Sequence, residues 1–164
     1  MLEQVKRILA IPAQKTDQRL VDHLTAEQYS AILEAPDPTT RLGIRDRTML
    51  HLCVTAGLRV SELVDLRVDD ATSESRYVHL HGRGKGRKDR RLTLWQSVAQ
   101  SLRAWLAVRG AALVPEIFLN ARGKEMTRAG VEYLLRKHVA TAVKRCPSLQ
   151  GKRVSPQLIA SLRG

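Results

Sequence analysis

Ala56-Gly57-Leu58-Arg59-Val60-Ser61-Glu62-Leu63, read together with Gly84-Lys85-Gly86-Arg87-Lys88-Asp89-Arg90, decides how this chain folds. The first stretch puts an arginine at a corner between two helical patterns, with Gly57 ending one helix and Ser61 placed to cap the next. The second puts a lysine on a glycine-bearing turn between two short alternating runs, Tyr77–His81 and Arg91–Leu94, the signature of a hairpin. Both cations then face something anionic, and the expectation is a single shared site.

Working outward, the chain around these motifs has helical spacing. Thr25 followed by Gln28 forms a capping box, with Leu24 and Tyr29 as a staple, for a helix running to about Glu34 before Pro36 and Pro38. A second helix is predicted over about Ile44 to Thr55, burying Met49, Leu50, Cys53 and Val54. The third, short, runs through Leu66. A faint signal for a first strand falls at Arg67–Val68. After the hairpin, Val98, Leu102, Trp105 and Leu106 mark a helix ending at Gly110. Ile117-Phe118-Leu119 leads to a turn at Asn120–Gly123. Thr127 starts a long helix with Val131, Leu134, Leu135, Val139 and Val143 on one side, closed by Pro147. Ser155-Pro156 opens another. Ahead of all this, Val5–Leu9 and a polar run to Arg19 read as the end of an upstream element and a linker.

The composition adds a charge argument. In 164 residues there are 28 Lys+Arg against 16 Asp+Glu, a formal +12 and a pI near 10.5. Such an excess points to a polyanionic partner, most often nucleic acid. No apolar run approaches the roughly 20 residues that span a bilayer, and the first residues lack a signal-peptide core, so a cytoplasmic or nucleoid setting is expected. Cys53 reads as a core thiol. His79 and His81 share a strand face, too few ligands for a metal site, and no cofactor motif is present.

Between residues 83 and 91 the cations Arg83, Lys85, Arg87, Lys88, Arg90 and Arg91 face one acid, Asp89. This is no Walker A loop, because Gly86 follows Lys85 where Ser or Thr is needed. Charge alone leaves two readings open: a solvated basic hairpin, or a hairpin that tracks phosphates and whose lysine protonates a leaving oxygen. Only six aromatics occur, and single-strand binders need stacking platforms. Duplex backbone contact is therefore favoured. Arg59 likewise has two readings: a bidentate phosphate ligand steadied by Glu62, or half of a structural Arg59–Glu62 ion pair.

Taken together, these motifs resemble the catalytic domain of tyrosine recombinases, the phage-integrase family. Its pattern runs T/A-G-L-R-x-S-E-L, G-K-G-x-K-x-R, then a Ser-Pro-His-x-Leu-Arg-His box, a late His or Trp and a nucleophilic Tyr. The likeness covers about residues 22–156. It implies an α+β fold, mainly helical with a small antiparallel β-sheet. It implies that Arg59 clamps the scissile phosphate and that Lys85 is the general acid toward the departing 5′ oxygen, with Arg83, Arg87, Lys88 and Arg90 adding electrostatic grip on DNA and Glu62 supporting Arg59. Residues 1–22 become a linker or a remnant of an upstream helical DNA-binding domain, and 23–164 a truncated catalytic domain.

At Ser155-Pro156 the third box begins and the likeness stops. Gln157 stands where the family has histidine, Ala160 where it has its second arginine, and Ser161 where the next histidine belongs. Tyr29, Tyr77 and Tyr133 all precede the box and read as packing residues. Cleavage of this kind needs a nucleophile that becomes bonded to phosphorus and several cations around the transition-state charge. The expectation is a DNA-binding fragment of a site-specific recombinase that cannot cleave alone, with double-stranded DNA as partner and no metal or cofactor. An interrupted gene would account for the abrupt change after Pro156, and a missing tail would leave apolar surface near Val131–Val143 uncovered. The alternative is a non-enzymatic decoy or regulatory partner of an intact recombinase subunit.

Overall fold

The computed structural model describes residues 24–82, 90–156 and 158, with Arg90 through its backbone alone. Expectations for residues 1–22, for the hairpin connection 83–89 and for Gln157, Ala160 and Ser161 fall outside the described residues.

Helix α1 (Ala26–Glu34) begins as the capping box requires. Thr25 Oγ1 accepts the Gln28 N–H at 3.1 Å, and Gln28 Oε1 accepts the Thr25 N–H at 3.0 Å. Gln28 also donates to Ser148 Oγ and accepts from Lys152 Nζ, each at 3.0 Å, which ties this helix to the chain following the last one. Helix α2 (Arg41–Thr55) starts three residues before the predicted Ile44, because Thr40 Oγ1 accepts the Gly43 N–H at 3.0 Å. Gly43 is required there: a Cβ would stand 1.7 Å from the Asp37 carbonyl oxygen.

The third helix corrects two expectations. Helix α3 spans Val60–Asp65 with Arg59, not Ser61, at its N-cap. Ser61 lies within the helix, since Leu58 and Val60 are both buried and draw the first turn two residues earlier. Arg67–Val68 is not a strand. Arg67 forms an isolated bridge to Glu116, and Val68–Asp70 is a 3₁₀ turn closed by Asp70 Oδ2 on the Arg67 N–H at 2.9 Å.

Strands β1 (Ala71–Ser73), β2 (Val78–Gly82) and β3 (Arg90–Leu94) form an antiparallel sheet in that order, so the hairpin read from the sequence is present. Val78 pairs with Leu94, Leu80 with Leu92 and Gly82 with Arg90. Val78, Leu80 and Leu94 point into the core, whereas His79, His81, Arg91 and Thr93 occupy the other face, the period-two consequence of a half-covered sheet. Helix α4 (Gln96–Arg109) packs along α2, and helix α5 (Arg128–Val143) packs against α1 and α3. The fold class is α+β, as expected.

The core joins these elements through Leu52, Leu58, Leu63, Leu80, Leu102, Trp105 and Phe118, all at or near zero exposure. Trp105 and Phe118 stack with centroids 6.5 Å apart, and the Arg41 guanidinium lies 5.2 Å over the Trp105 ring. Val131 and Leu135 are buried and Leu134, Val139 and Val143 half-buried, so the long helix is not left with an open apolar face; Tyr133 is its exposed aromatic. That placement also corrects the packing assignment of Tyr133. Arg109 holds the loop after α4. Its guanidinium donates to the carbonyls of Gly110, Val114, Glu116 and Ile117 at 2.7–3.1 Å. No described helix is long and apolar enough to cross a membrane.

Two outcomes follow from this core. Arg109→Met is expected to lose about 3 kcal/mol in urea unfolding, because several buried carbonyls lose a charged donor at once. Burial pushes the Cys53 thiol from its ordinary 9.0 up to about 12, and burial followed by the nearby Cys53 pushes Tyr29 from 10.0 up to about 12. Both groups stay protonated in the fold while the unfolded chain ionises earlier. Stability is therefore full below about pH 9 and declines between pH 9 and 12, measurable by denaturation across that window. Cys53 should resist alkylation at pH 8 until the chain unfolds.

Candidate phosphate-binding site

The site is built at the corner after α2. Gly57 adopts φ +63°, the left-handed region that favours glycine, and this reverses the chain. Leu58 and Val60 on either side of Arg59 are 2% and 5% exposed, while Arg59 itself is exposed. The arginine is thus mounted between two anchored neighbours with an extended backbone (ψ 154°) that directs its side chain outward. Such a mount limits the entropy a ligand must remove. No ion pair or hydrogen bond of the guanidinium occurs among the described residues.

Glu62 does sit beside Arg59, but differently from expectation. Its carboxylate accepts the Arg59 backbone N–H at 3.1 Å, which closes the first turn of α3. It therefore fixes the position of Arg59 through the main chain, and the structural ion-pair reading of Arg59 falls away. Of the hairpin cations, Lys85, Arg83, Arg87 and Lys88 lie in the connection 83–89, outside the described residues, as does the Arg90 side chain. What the structure gives is the stem: five paired positions on each strand, with His81 opposite Arg91 near the hairpin's mouth. Among the described residues no three His, Cys, Asp or Glu side chains converge as a metal site.

A second layer went unread in the sequence. Asp46 on α2 accepts from Arg45 Nη2 at 2.7 Å and Nε at 2.8 Å, and its other oxygen lies 2.7 Å from His138 Nε2 on α5. Arg45 Nη1 donates to the Leu119 carbonyl at 3.0 Å. All three side chains are more than nine-tenths buried. The available signal was positional: Asp46 lies on the face of α2 that carries Met49, Leu50 and Cys53, and His138 lies on the stripe with Val131, Leu135 and Ala142. This network clamps the N-terminal half of α2 to the Phe118–Leu119 segment and to α5.

Residues 22–153 match the phage integrase family. The chain belongs to that family. A putative integrase/recombinase, y4rC, of Sinorhizobium fredii is 40% identical over 152 residues, covering 93% of this chain and 46% of the relative. The tyrosine recombinase XerD of Staphylococcus epidermidis is 32% identical over 133 residues, covering 78% of this chain and 44% of XerD. This integrase-family chain spans about half the length of the curated relatives it matches. Its fold is shared with the XerA recombinase (TM-score 0.70, 19% identity, 98% of this chain and 65% of XerA) and with XerH bound to difH in a pre-cleavage complex (TM-score 0.71, 23% identity, 88% of this chain and 42% of XerH).

The buried network makes a sharp prediction. Asp46→Ala leaves Arg45 as an uncompensated buried cation and should cost about 3–5 kcal/mol of folding free energy. Tyr133→Ala, on the exposed side of the same α5 helix, should cost within about 0.5 kcal/mol. Urea titration of the two variants checks both.

Proposed function

We propose that this chain is the phosphate-gripping part of a tyrosine-recombinase catalytic domain, which binds the backbone of duplex DNA and does not cut it by itself. The observation that carries the reading is Arg59: exposed, mounted between buried Leu58 and Val60, and without an acidic partner among the described residues. A guanidinium in that state suits bidentate hydrogen bonding to two oxygens of a phosphodiester. Lys85, on the connection between β2 and β3, would supply the second cation and the proton for a departing oxygen. Arg83, Arg87, Lys88 and Arg90 would add non-specific affinity by displacing counterions from the duplex.

In this reading none of the three tyrosines, Tyr29, Tyr77 and the exposed Tyr133, serves as the nucleophile. The Tyr29 hydroxyl is held protonated by burial, and Tyr77 is braced edge-on against Trp95. Gln157 and Ala160 stand where the family pattern has histidine and its second arginine, so the charge that develops on phosphorus would meet fewer donors, each worth about 3 kcal/mol in comparable sites.

Two measurements test this. Binding to a duplex should weaken steeply with salt, and changing Lys85, Arg87 and Lys88 together to Ala should lower the slope of log K against log salt by roughly 0.9 for each phosphate that is no longer neutralised. A slope indifferent to those changes rejects the hairpin as the element that meets DNA. Incubation with a nicked suicide duplex should give no denaturant-stable protein–DNA adduct. An adduct that disappears in Tyr133→Phe would show that the exposed tyrosine of α5 is a working nucleophile and would overturn the non-cleaving reading.

A further inference from the structure

Helix α4 begins with a residue that cannot do what its position asks. Thr25, Thr40 and Thr127 start their helices by accepting a backbone N–H of the first turn, whereas Trp95 at the N-cap of α4 makes no such bond. An indole is a donor only, so it can never satisfy the free N–H groups there. The ring is also spent outside the core: Trp95 is 63% exposed, while the other tryptophan, Trp105, is fully buried. A position that breaks a local folding rule while exposing a large aromatic is a candidate for binding.

The surroundings are built to hold that ring. Tyr77 meets it edge-on, centroids 5.2 Å apart at 85°. The turn that carries Tyr77 is locked by Arg103, whose guanidinium donates to Ser73 Oγ at 3.1 Å, to the Tyr77 carbonyl at 3.2 Å and to the Glu74 carbonyl. Arg76 is exposed on the same turn. One acid, Glu74, stands nearby and faces His79 Nε2 at 3.4 Å. The corner is rigid, aromatic and cationic, and it combines the three residue types that dominate protein-interface hot spots. It also lies away from the candidate DNA-binding end of the hairpin. Val78 pairs with Leu94 at this end and Gly82 with Arg90 at the other, a separation of about 13 Å along the strand.

We propose that the Trp95–Tyr77 corner is a docking site for an acidic segment of a partner protein, which lays an apolar side chain on the indole and a carboxylate against the exposed Arg76. A lone tryptophan with its neighbour turned edge-on offers no run of stacking faces for a nucleic-acid strand, and the exposed Arg76 beside the ring is complementary to an acidic side chain. The inference does not depend on the DNA reading above.

The test selects a displayed random 12-residue peptide library on the full chain, counter-selected on Trp95→Ser. Serine can cap α4, so this variant should melt at the same temperature or a few degrees higher. Enriched peptides should be acidic with an apolar residue. A synthetic copy should at least halve acrylamide quenching of the exposed tryptophan and bind Trp95→Ser at least tenfold more weakly, while duplex binding by the variant is unchanged. A lower melting temperature for the variant would make Trp95 a packing residue and overturn the proposal. So would enrichment without acidic character, or shielding of Trp95 by oligo-dT in place of the peptide.

Discussion

The interaction on which the domain depends is the one made by Asp46. A carboxylate removed from water costs several kcal/mol unless its oxygens are filled, and here Arg45 fills one and His138 the other. Because Arg45 also reaches the Leu119 carbonyl, a single acid sets the spacing of α2, the segment after α4 and α5. Everything functional is mounted on that frame. The end of α2 delivers Gly57, Gly57 turns the chain, and Leu58 and Val60 sink on either side of Arg59. An apolar triplet of the same volume could hold the helices as tightly; the charged one also specifies which face of α5 meets α2.

Much of this is legible in the sequence because it is local. Thr25 with Gln28, Gly57 after an apolar-periodic run, and the alternation of Tyr77–His81 with Arg91–Leu94 each encode structure within a few residues, and each element forms. The departures come where neighbours far along the chain decide. Ser61 is a good capping residue by type, yet burial of Leu58 and Val60 puts Arg59 at the cap. Arg67–Val68 resembles a strand, but the pairing with β2 falls to Ala71–Ser73, after a 3₁₀ turn closed by Asp70.

The candidate site is legible only in part. Arg59 can be read from its motif and is found at the corner, exposed. Glu62 reads as a partner of the guanidinium and is a partner of the backbone, a distinction that spacing alone cannot make. The Arg45–Asp46–His138 network escapes a motif reading because its members come from distant stretches of sequence, and only a helical-face reading of both α2 and α5 would align them. Lys85 remains a sequence-based assignment.

The arginines of this chain divide into two populations. Arg45, Arg103 and Arg109 are engaged by backbone carbonyls, hydroxyl or carboxylate within the fold, and Arg41 spans the Trp105 ring and the Val108 carbonyl. Their donors are consumed as architecture, stitching helix ends and loops where a smaller donor would reach one acceptor instead of several. Neutral carbonyls leave the positive charge in place, so these arginines still add to the long-range field that draws in an anionic polymer, while short-range contacts to that polymer must come from the lysines and arginines that remain outside this internal scaffolding.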